Sequence, residues 1–100
     1  MPPDRVFMVA VDVTDPAFKA DHVRKVLKTT PSITGWWNHI PGCFLISTTL
    51  DEDGLTDKLR EATGETSILV VEANPAASEG WLPTSSWAWI KKRAKELDRA

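Results

Sequence analysis

Apolar residues occur in consecutive runs at three places along the chain, and these runs predict strands. Residues 5–13, Cys43–Thr49 and Ser67–Ala73 are apolar at positions of both parities, as in strands covered on both faces. A fourth strand is predicted at Thr34–His39, and Pro41-Gly42 forms the turn of a hairpin between it and Cys43–Thr49. The chain therefore supplies four strands.

Three other segments carry apolar residues at helical spacing. The first helix is expected to start at Pro16, behind a capping "TD" pair, and to stop before Pro31. The second starts within the acidic "DEDG" segment and ends at Gly64. A third, amphipathic helix is predicted over residues 85–99. Its apolar face consists of Trp87, Ile90, Ala94 and Leu97.

The order βαββαβ followed by an extra helix predicts an α+β fold of the ferredoxin-like type. We expect one domain over residues 1–100, with a core at about 5–73, a loop at 74–84 and a C-terminal helix at 85–99. Two helices cover one face of such a sheet, yet three strands are apolar on both faces. A second protomer or the tryptophan-rich tail is expected to cover the other face, and a homodimer is the more natural outcome.

Composition excludes several classes of function. The net charge of −2 gives no global attraction to nucleic acid or to an anionic membrane. Cys43 is the single cysteine, which excludes an internal disulfide framework. The start "MPPDRVFMV" and the absence of a long apolar run predict a cytoplasmic protein without a membrane partner. No glycine-rich phosphate loop or nucleophile motif is present.

Asp12 is an isolated carboxylate near the end of the first predicted strand. It could be a metal ligand or a charged group at a dimer axis, where two copies would hold one Mg²⁺ and Asp15 would add a second carboxylate. The alternative is that Asp12 only accepts hydrogen bonds from loop amides where the strand ends.

Aromatic and basic residues supply candidate nucleic-acid contacts. Trp36 and Trp37 point to opposite faces of their strand, so one ring could stack on a base while His39 or Lys25 holds a phosphate. Lys91, Lys92 and Arg93 make the third helix basic near its middle, and that helix could lie along a phosphate backbone. The alternatives are rings that pack in a core or interface and a basic face that is simply solvated.

Four segments together resemble the small bacterial proteins labelled SinR-like, which are related to the CRISPR-associated small ferredoxin-like nucleases and to VapD-like toxins. The resemblance covers roughly residues 5–92. The segments are "VAVDVTD", "GWWNHIPGCFLISTTL" (Gly35–Leu50), "DKLREATGETSILVVEA" (Asp57–Ala73) and "GWLPTSSWAWIKK" (Gly80–Lys92).

The resemblance implies a ferredoxin-like protomer that dimerises through its sheet, with Asp12 at the position of the family's metal-linked acid. In active nucleases of the family, two such acids face each other across the dimer axis and bind Mg²⁺; other members are DNA-binding scaffolds. We therefore expect a Mg²⁺-dependent ribonuclease or nuclease, or an RNA- or DNA-binding protein. The acidic balance keeps open a non-catalytic dimeric interaction or scaffold protein. A dimeric ligand-binding domain ranks last, because no small-molecule loop is evident.

Overall fold

The computed structural model describes residues 4–98, which form a four-stranded antiparallel sheet and three α-helices. The fold class is therefore α+β. Within the sheet the strands lie in the order β2-β3-β1-β4. The strands are β1 (Arg5–Val11), β2 (Ile33–Ile40), β3 (Cys43–Thr48) and β4 (Ile68–Ala73), and the helices are α1 (Ala20–Thr29), α2 (Glu52–Thr63) and α3 (Thr84–Asp98). Among residues 4–98, no helix is both long and apolar enough to cross a membrane.

The first strand ends two residues earlier than its apolar run predicts. The backbone N–H of Asp12 still donates to Ser67 O at 3.1 Å. The Asp12 carboxylate then accepts a hydrogen bond from Thr14 N at 3.0 Å, which is an Asx turn and redirects the chain. Val13 consequently lies outside the sheet and is 45% exposed. The prediction of strand over residues 5–13 is thus wrong at its C-terminal end.

The first helix starts at Ala20 and not at Pro16, so that prediction is wrong. Asp15 forms a separate turn before the helix, because its Oδ1 accepts from Ala17 N at 2.9 Å and its carbonyl accepts from Phe18 N at 3.0 Å. Phe18 packs against the core from this turn. Asp15 therefore caps a single turn, and α1 does not begin there.

The second helix begins and ends as its sequence predicts. Asp51 caps its start, accepting a hydrogen bond from Gly54 N at 2.8 Å. Gly64 ends it with φ of 57°, a left-handed conformation in which glycine carries no steric cost, and its N–H donates to Arg60 O.

The segment between β4 and α3 contains structure that its composition does not reveal. Asn74 Oδ1 accepts from Ala76 N at 3.0 Å and caps a 3₁₀ turn over Pro75–Ala77. The third helix then begins at Thr84, one residue before the predicted span. Residue 99 and the Leu97 side chain lie outside the described part of the structure.

One face of the sheet and the first two helices enclose the main core. Phe7, Val9 and Val11 of β1 point to this face because strand side chains alternate. Phe44 and Ile46 of β3 lie beside them. The helices contribute four buried side chains, Val23 and Leu27 from α1 and Leu55 and Leu59 from α2. We call this face the helix-covered face.

The third helix lies over part of the opposite face, here called the second face. Gly35 of β2 neighbours Trp36, which packs against the core, so a side chain at Gly35 would point to the second face. A Cβ atom there would collide with the guanidinium group of Arg93 of α3. Ser47, opposite Gly35, and Val6, opposite Ser47, are only 1% and 2% exposed. The helix end of the second face is therefore closed.

Candidate functional site

The remaining part of the second face is an exposed apolar surface, here called the open patch. Met8 lies at its centre on β1, with Leu45 of β3 on one side and Val71 of β4 on the other. Met8, Val71 and Leu69 are 40%, 43% and 62% exposed. The patch comprises Met8, Ala10, Cys43, Leu45, Leu69 and Val71, and none of these residues carries a carboxylate, an amine or a guanidinium group.

The thiol in the open patch is also uncharged at neutral pH. Burial raises the pKa of Cys43 because it disfavours the thiolate, and the side chain is half-buried. A protonated thiol is a weak nucleophile, so Cys43 contributes apolar surface rather than reactivity. The open patch is therefore suited to contact with another apolar surface.

Asp12 lies where β1 ends, and its side chain is exposed. Its Oδ1 accepts hydrogen bonds from both the backbone N–H and the hydroxyl of Thr14, the latter at 2.5 Å. These two bonds lower the pKa of Asp12 below its ordinary value of 3.8, because they stabilise the ionised form. The bond from the Thr14 backbone N–H is of the kind that the alternative interpretation predicts, in which Asp12 accepts hydrogen bonds from loop amides instead of binding a metal. The carboxylate is thus ionised at neutral pH and fixed by a local turn.

The second candidate ligand, Asp15, is already engaged within the chain. Its Oδ1 accepts from Ala17 N, and its Oδ2 accepts from the Thr66 hydroxyl at 3.1 Å. No cluster of three or more His, Cys, Asp or Glu side chains suited to a metal ion occurs in residues 4–98. Among residues 4–98, one chain therefore offers the exposed Asp12 carboxylate at this end of β1, and one carboxylate does not by itself fit a Mg²⁺ site.

The two tryptophans of β2 point to opposite faces, as their spacing predicts. Trp36 packs against the main core. Trp37 lies on the second face opposite Leu45, and its ring centroid is 6.3 Å from that of His39. Both tryptophans are half-buried, whereas His39 is exposed. Of the two rings, Trp37 is the one that lies beside the open patch.

The basic candidates divide between the two sides of the sheet. Lys25 is exposed on α1, which lies on the helix-covered face, whereas Lys91 and Lys92 are exposed on α3 over the second face. Arg93 is mostly buried: its guanidinium lies 4.8 Å above the Trp89 ring, and Nη1 donates to Glu96 at 2.9 Å. The basic candidates thus do not form one cluster on one side of the sheet.

A shallow cleft of about 430 Å³ opens beside the start of α3. Lys91 and Glu79 lie on its wall with Trp87, so this lysine shares its surroundings with a carboxylate. An acidic neighbour opposes the binding of a phosphate at the same place. The cleft therefore does not strengthen the candidate nucleic-acid surface.

Two features of the structure are not evident in the sequence. The apolar runs indicate an uncovered surface, but they do not show that Val6 is buried on the second face while Met8 is 40% exposed. Trp81 is 99% exposed in the loop before α3, although tryptophan is usually packed. Its position within the low-periodicity "GWLP" segment was the only available signal.

Comparison of the chain with protein-family models, with curated proteins and with solved structures found no match.

Proposed function

We propose that the protein is a dimeric interaction or scaffold protein with a ferredoxin-like protomer, and that two copies associate through the open patch. The βαββαβ order of the elements and the β2-β3-β1-β4 order of the strands support the ferredoxin-like assignment. The observation that carries the function is the open patch, in which exposed apolar side chains of β1 and β4 lie next to half-buried ones of β3.

A second copy is the occupant that matches this surface best. A twofold axis places the same patch on both sides of an interface, so an uncharged patch meets an uncharged patch. Apolar groups on both sides then leave water together, and no buried charge is left without a partner. Trp37 and His39 lie at the β2 side of the patch and would contribute an aromatic rim.

The test replaces Met8 by lysine, since Met8 is the central residue of the patch. Met8→Lys would bury an unpaired ammonium group in the interface, and we expect the dimer dissociation constant to rise roughly a hundredfold. The measurement is sedimentation velocity over a range of protein concentrations. His22→Lys is the matched control, because His22 is exposed on α1 and its replacement adds the same charge away from the patch.

Two results would contradict the proposal. The wild-type protein could sediment as a monomer at every soluble concentration. Alternatively, Met8→Lys and His22→Lys could leave the same mass distribution as the wild-type chain. Circular dichroism of each variant separates a broken interface from an unfolded protomer.

A metal-dependent ribonuclease or nuclease is the second candidate function. It is favoured by Asp12, whose carboxylate is exposed, ionised and located two residues beyond Ala10 of the open patch. Association of two copies through the open patch would add a second Asp12 carboxylate, whereas one chain has a single Asp12. Mg²⁺ bound by two carboxylates and water would supply Lewis-acid chemistry for phosphodiester cleavage. Lys25, Trp36, Trp37, His39, Lys91, Lys92 and Arg93 stay candidates for contacts with RNA or DNA.

Asp12→Asn tests this second function without destroying the local turn, because an amide oxygen can still accept the Thr14 hydrogen bonds. We expect Mg²⁺-dependent cleavage of single-stranded RNA or DNA by the wild-type protein and its loss in the variant. Asp57→Asn serves as the control, because Asp57 is exposed on α2 and the same change of residue type is made away from Asp12. Equal cleavage by Asp12→Asn and wild type would refute the role of Asp12, whereas salt-sensitive binding without cleavage would identify a nucleic-acid scaffold.

A further inference from the structure

The two edge strands of the sheet differ in how readily they could form backbone hydrogen bonds with another strand. β2 forms one edge and β4 the other. Along β2 the register with β3 shifts twice, between Ile33 and Gly35 and again between Trp37 and Ile40. Bulges of this kind twist an edge and interrupt its row of hydrogen-bonding groups.

The hairpin end of β2 is also filled by one of its own side chains. The Asn38 amide donates to the carbonyl of Ile40 at 2.9 Å and to that of Cys43 at 3.0 Å. Its Oδ1 accepts from Arg24 of α1 at 3.4 Å. Pro41 follows directly and lacks a backbone donor. The hairpin end of β2 is therefore irregular, and this edge is a poorer template for strand addition than a regular strand.

β4 has none of these devices. Its register with β1 is continuous from Ile68 to Ala73, and the strand contains no proline, glycine or lysine. Within residues 4–98, no loop backbone and no side chain forms a hydrogen bond to the main chain of Ile68–Ala73 outside the sheet ladder. Alternate N–H and C=O groups of β4 point away from β1 and are available to a further strand.

We propose that β4 pairs with β4 of a second copy, antiparallel and centred on Val70. A twofold axis perpendicular to the sheet keeps both open patches on one side, and this requires residues of the same parity to lie opposite each other. Centring on Val70 places Leu69 opposite Val71 of the partner subunit. It also places Glu72 opposite Ile68 of the partner subunit, so the two carboxylates stay apart.

Registers centred on Glu72 or on Ile68 are less favourable. Centring on Glu72 would place the two Glu72 carboxylates directly opposite each other, which is destabilising in a sheet. Centring on Ile68 would shift the paired region into the loop that contains Thr66, whose hydroxyl bonds to Asp15. The Val70 register pairs Ser67 through Ala73 without a clash of like charges.

This edge pairing goes beyond the face-to-face dimer proposed above and does not depend on it. Face pairing uses side chains of the open patch, whereas edge pairing uses the main chain of β4. Their twofold axes are perpendicular, and two perpendicular axes that meet generate a closed tetramer. The wild-type chain is therefore expected to reach four copies, and Met8→Lys, on central strand β1, to leave an edge-paired dimer.

Disulfide trapping tests the register in the Cys43→Ser, Met8→Lys background. Directly opposite residues in antiparallel strands have Cα atoms about 4.5–5.5 Å apart, within reach of a disulfide bond. We expect Val70→Cys to form a covalent dimer on oxidation. Glu72→Cys is the matched control on the same strand. Its two copies would lie roughly 13 Å apart along the strand direction, so no disulfide-linked dimer should form.

Hydrogen exchange gives a readout that requires no cysteine. Protection of the Ile68–Ala73 amides in Met8→Lys should rise with protein concentration, while protection of the β2 amides should not. The edge proposal is overturned if Met8→Lys is a monomer at all soluble concentrations, shows no concentration-dependent protection of β4 and gives no Val70→Cys dimer. Those results leave the face dimer standing. A wild-type mass equal to that of Met8→Lys instead removes the face dimer.

Discussion

The two faces of the sheet are built from similar apolar residues but differ in what covers them. On β1, Phe7 and Val9 are almost fully buried beneath α1 and α2. Met8, between them in sequence, is 40% exposed on the second face. Because adjacent residues of one strand share the same backbone, this difference arises entirely from the neighbouring elements.

Strand β1 thus contributes buried side chains to the main core on one face and exposes apolar side chains on the other. Helices α1 and α2 close the helix-covered face, whereas α3 meets the second face at Gly35 of β2. The apolar residues of the open patch add less to the stability of one chain, since Met8, Val71 and Leu69 stay 40%, 43% and 62% exposed. Their contribution becomes available only when another surface covers them.

The largest expected effect comes from truncating a large side chain on the helix-covered face. Phe7→Ala removes a fully buried ring and leaves a cavity, and it should lower the free energy of unfolding by about 3–5 kcal/mol. Val71→Ala, on the open patch, should cost the isolated protomer less than about 1 kcal/mol. Urea denaturation at low protein concentration measures both. Similar losses for the two variants would mean that the faces are equally closed.

A smaller effect is expected where α3 meets the sheet. Gly35→Ala places a methyl group against the Arg93 guanidinium, so the arginine must move away from Trp89 and Glu96. Because a flexible side chain can yield, the loss should be about 1 kcal/mol. Near-ultraviolet circular dichroism would record the change around Trp89. Gly80→Ala, whose Cβ would make only ordinary contact with Trp87, is the control.

The smallest effect concerns protonation beside the open patch. Thr14→Val removes the hydroxyl bond to Asp12, so the pKa of Asp12 should rise toward 3.8, whereas Thr14→Ser should preserve the lowered pKa. A carboxyl-detected NMR titration measures this shift. Since the folded-state pKa is lowered, the ionised carboxylate favours folding above pH 3.8 and this contribution is lost as the pH falls through the folded-state pKa. An unchanged titration in Thr14→Val would exclude the hydroxyl as the cause.

Much of the secondary structure follows from local patterns in the sequence. The consecutive apolar runs and the Pro41-Gly42 turn predict all four strands, and Asp51 with Gly64 predicts both ends of α2. The start of α1 was not predictable in the same way. Asp15 has the residue type of a helix cap, but it bonds to Ala17 and Thr66, and the second of these contacts joins residues distant in the chain.

The candidate site was predictable only in part. The "DVT" sequence is compatible with the Asx turn that holds Asp12, because the turn needs only a hydrogen-bond donor two residues on. The extent of the open patch depends on where α3 lies, and this is set by the long-range contact between Gly35 and Arg93. The division of Lys25 from Lys91 and Lys92 has the same origin, because sequence alone does not place α3 over a particular face.

The contact between α3 and the sheet contains a buried donor without an acceptor. Arg93 of α3, whose guanidinium lies against Gly35 of β2, has no hydrogen-bond acceptor for its Nε among residues 4–98. A buried donor without an acceptor costs roughly 1–3 kcal/mol of stability. This cost is avoided only if water reaches the donor beneath the helix. On warming, α3 should therefore detach before the rest of the protomer melts. The released sheet would then be apolar along the whole of its second face, so heat-induced aggregation should begin there while the main core is still folded.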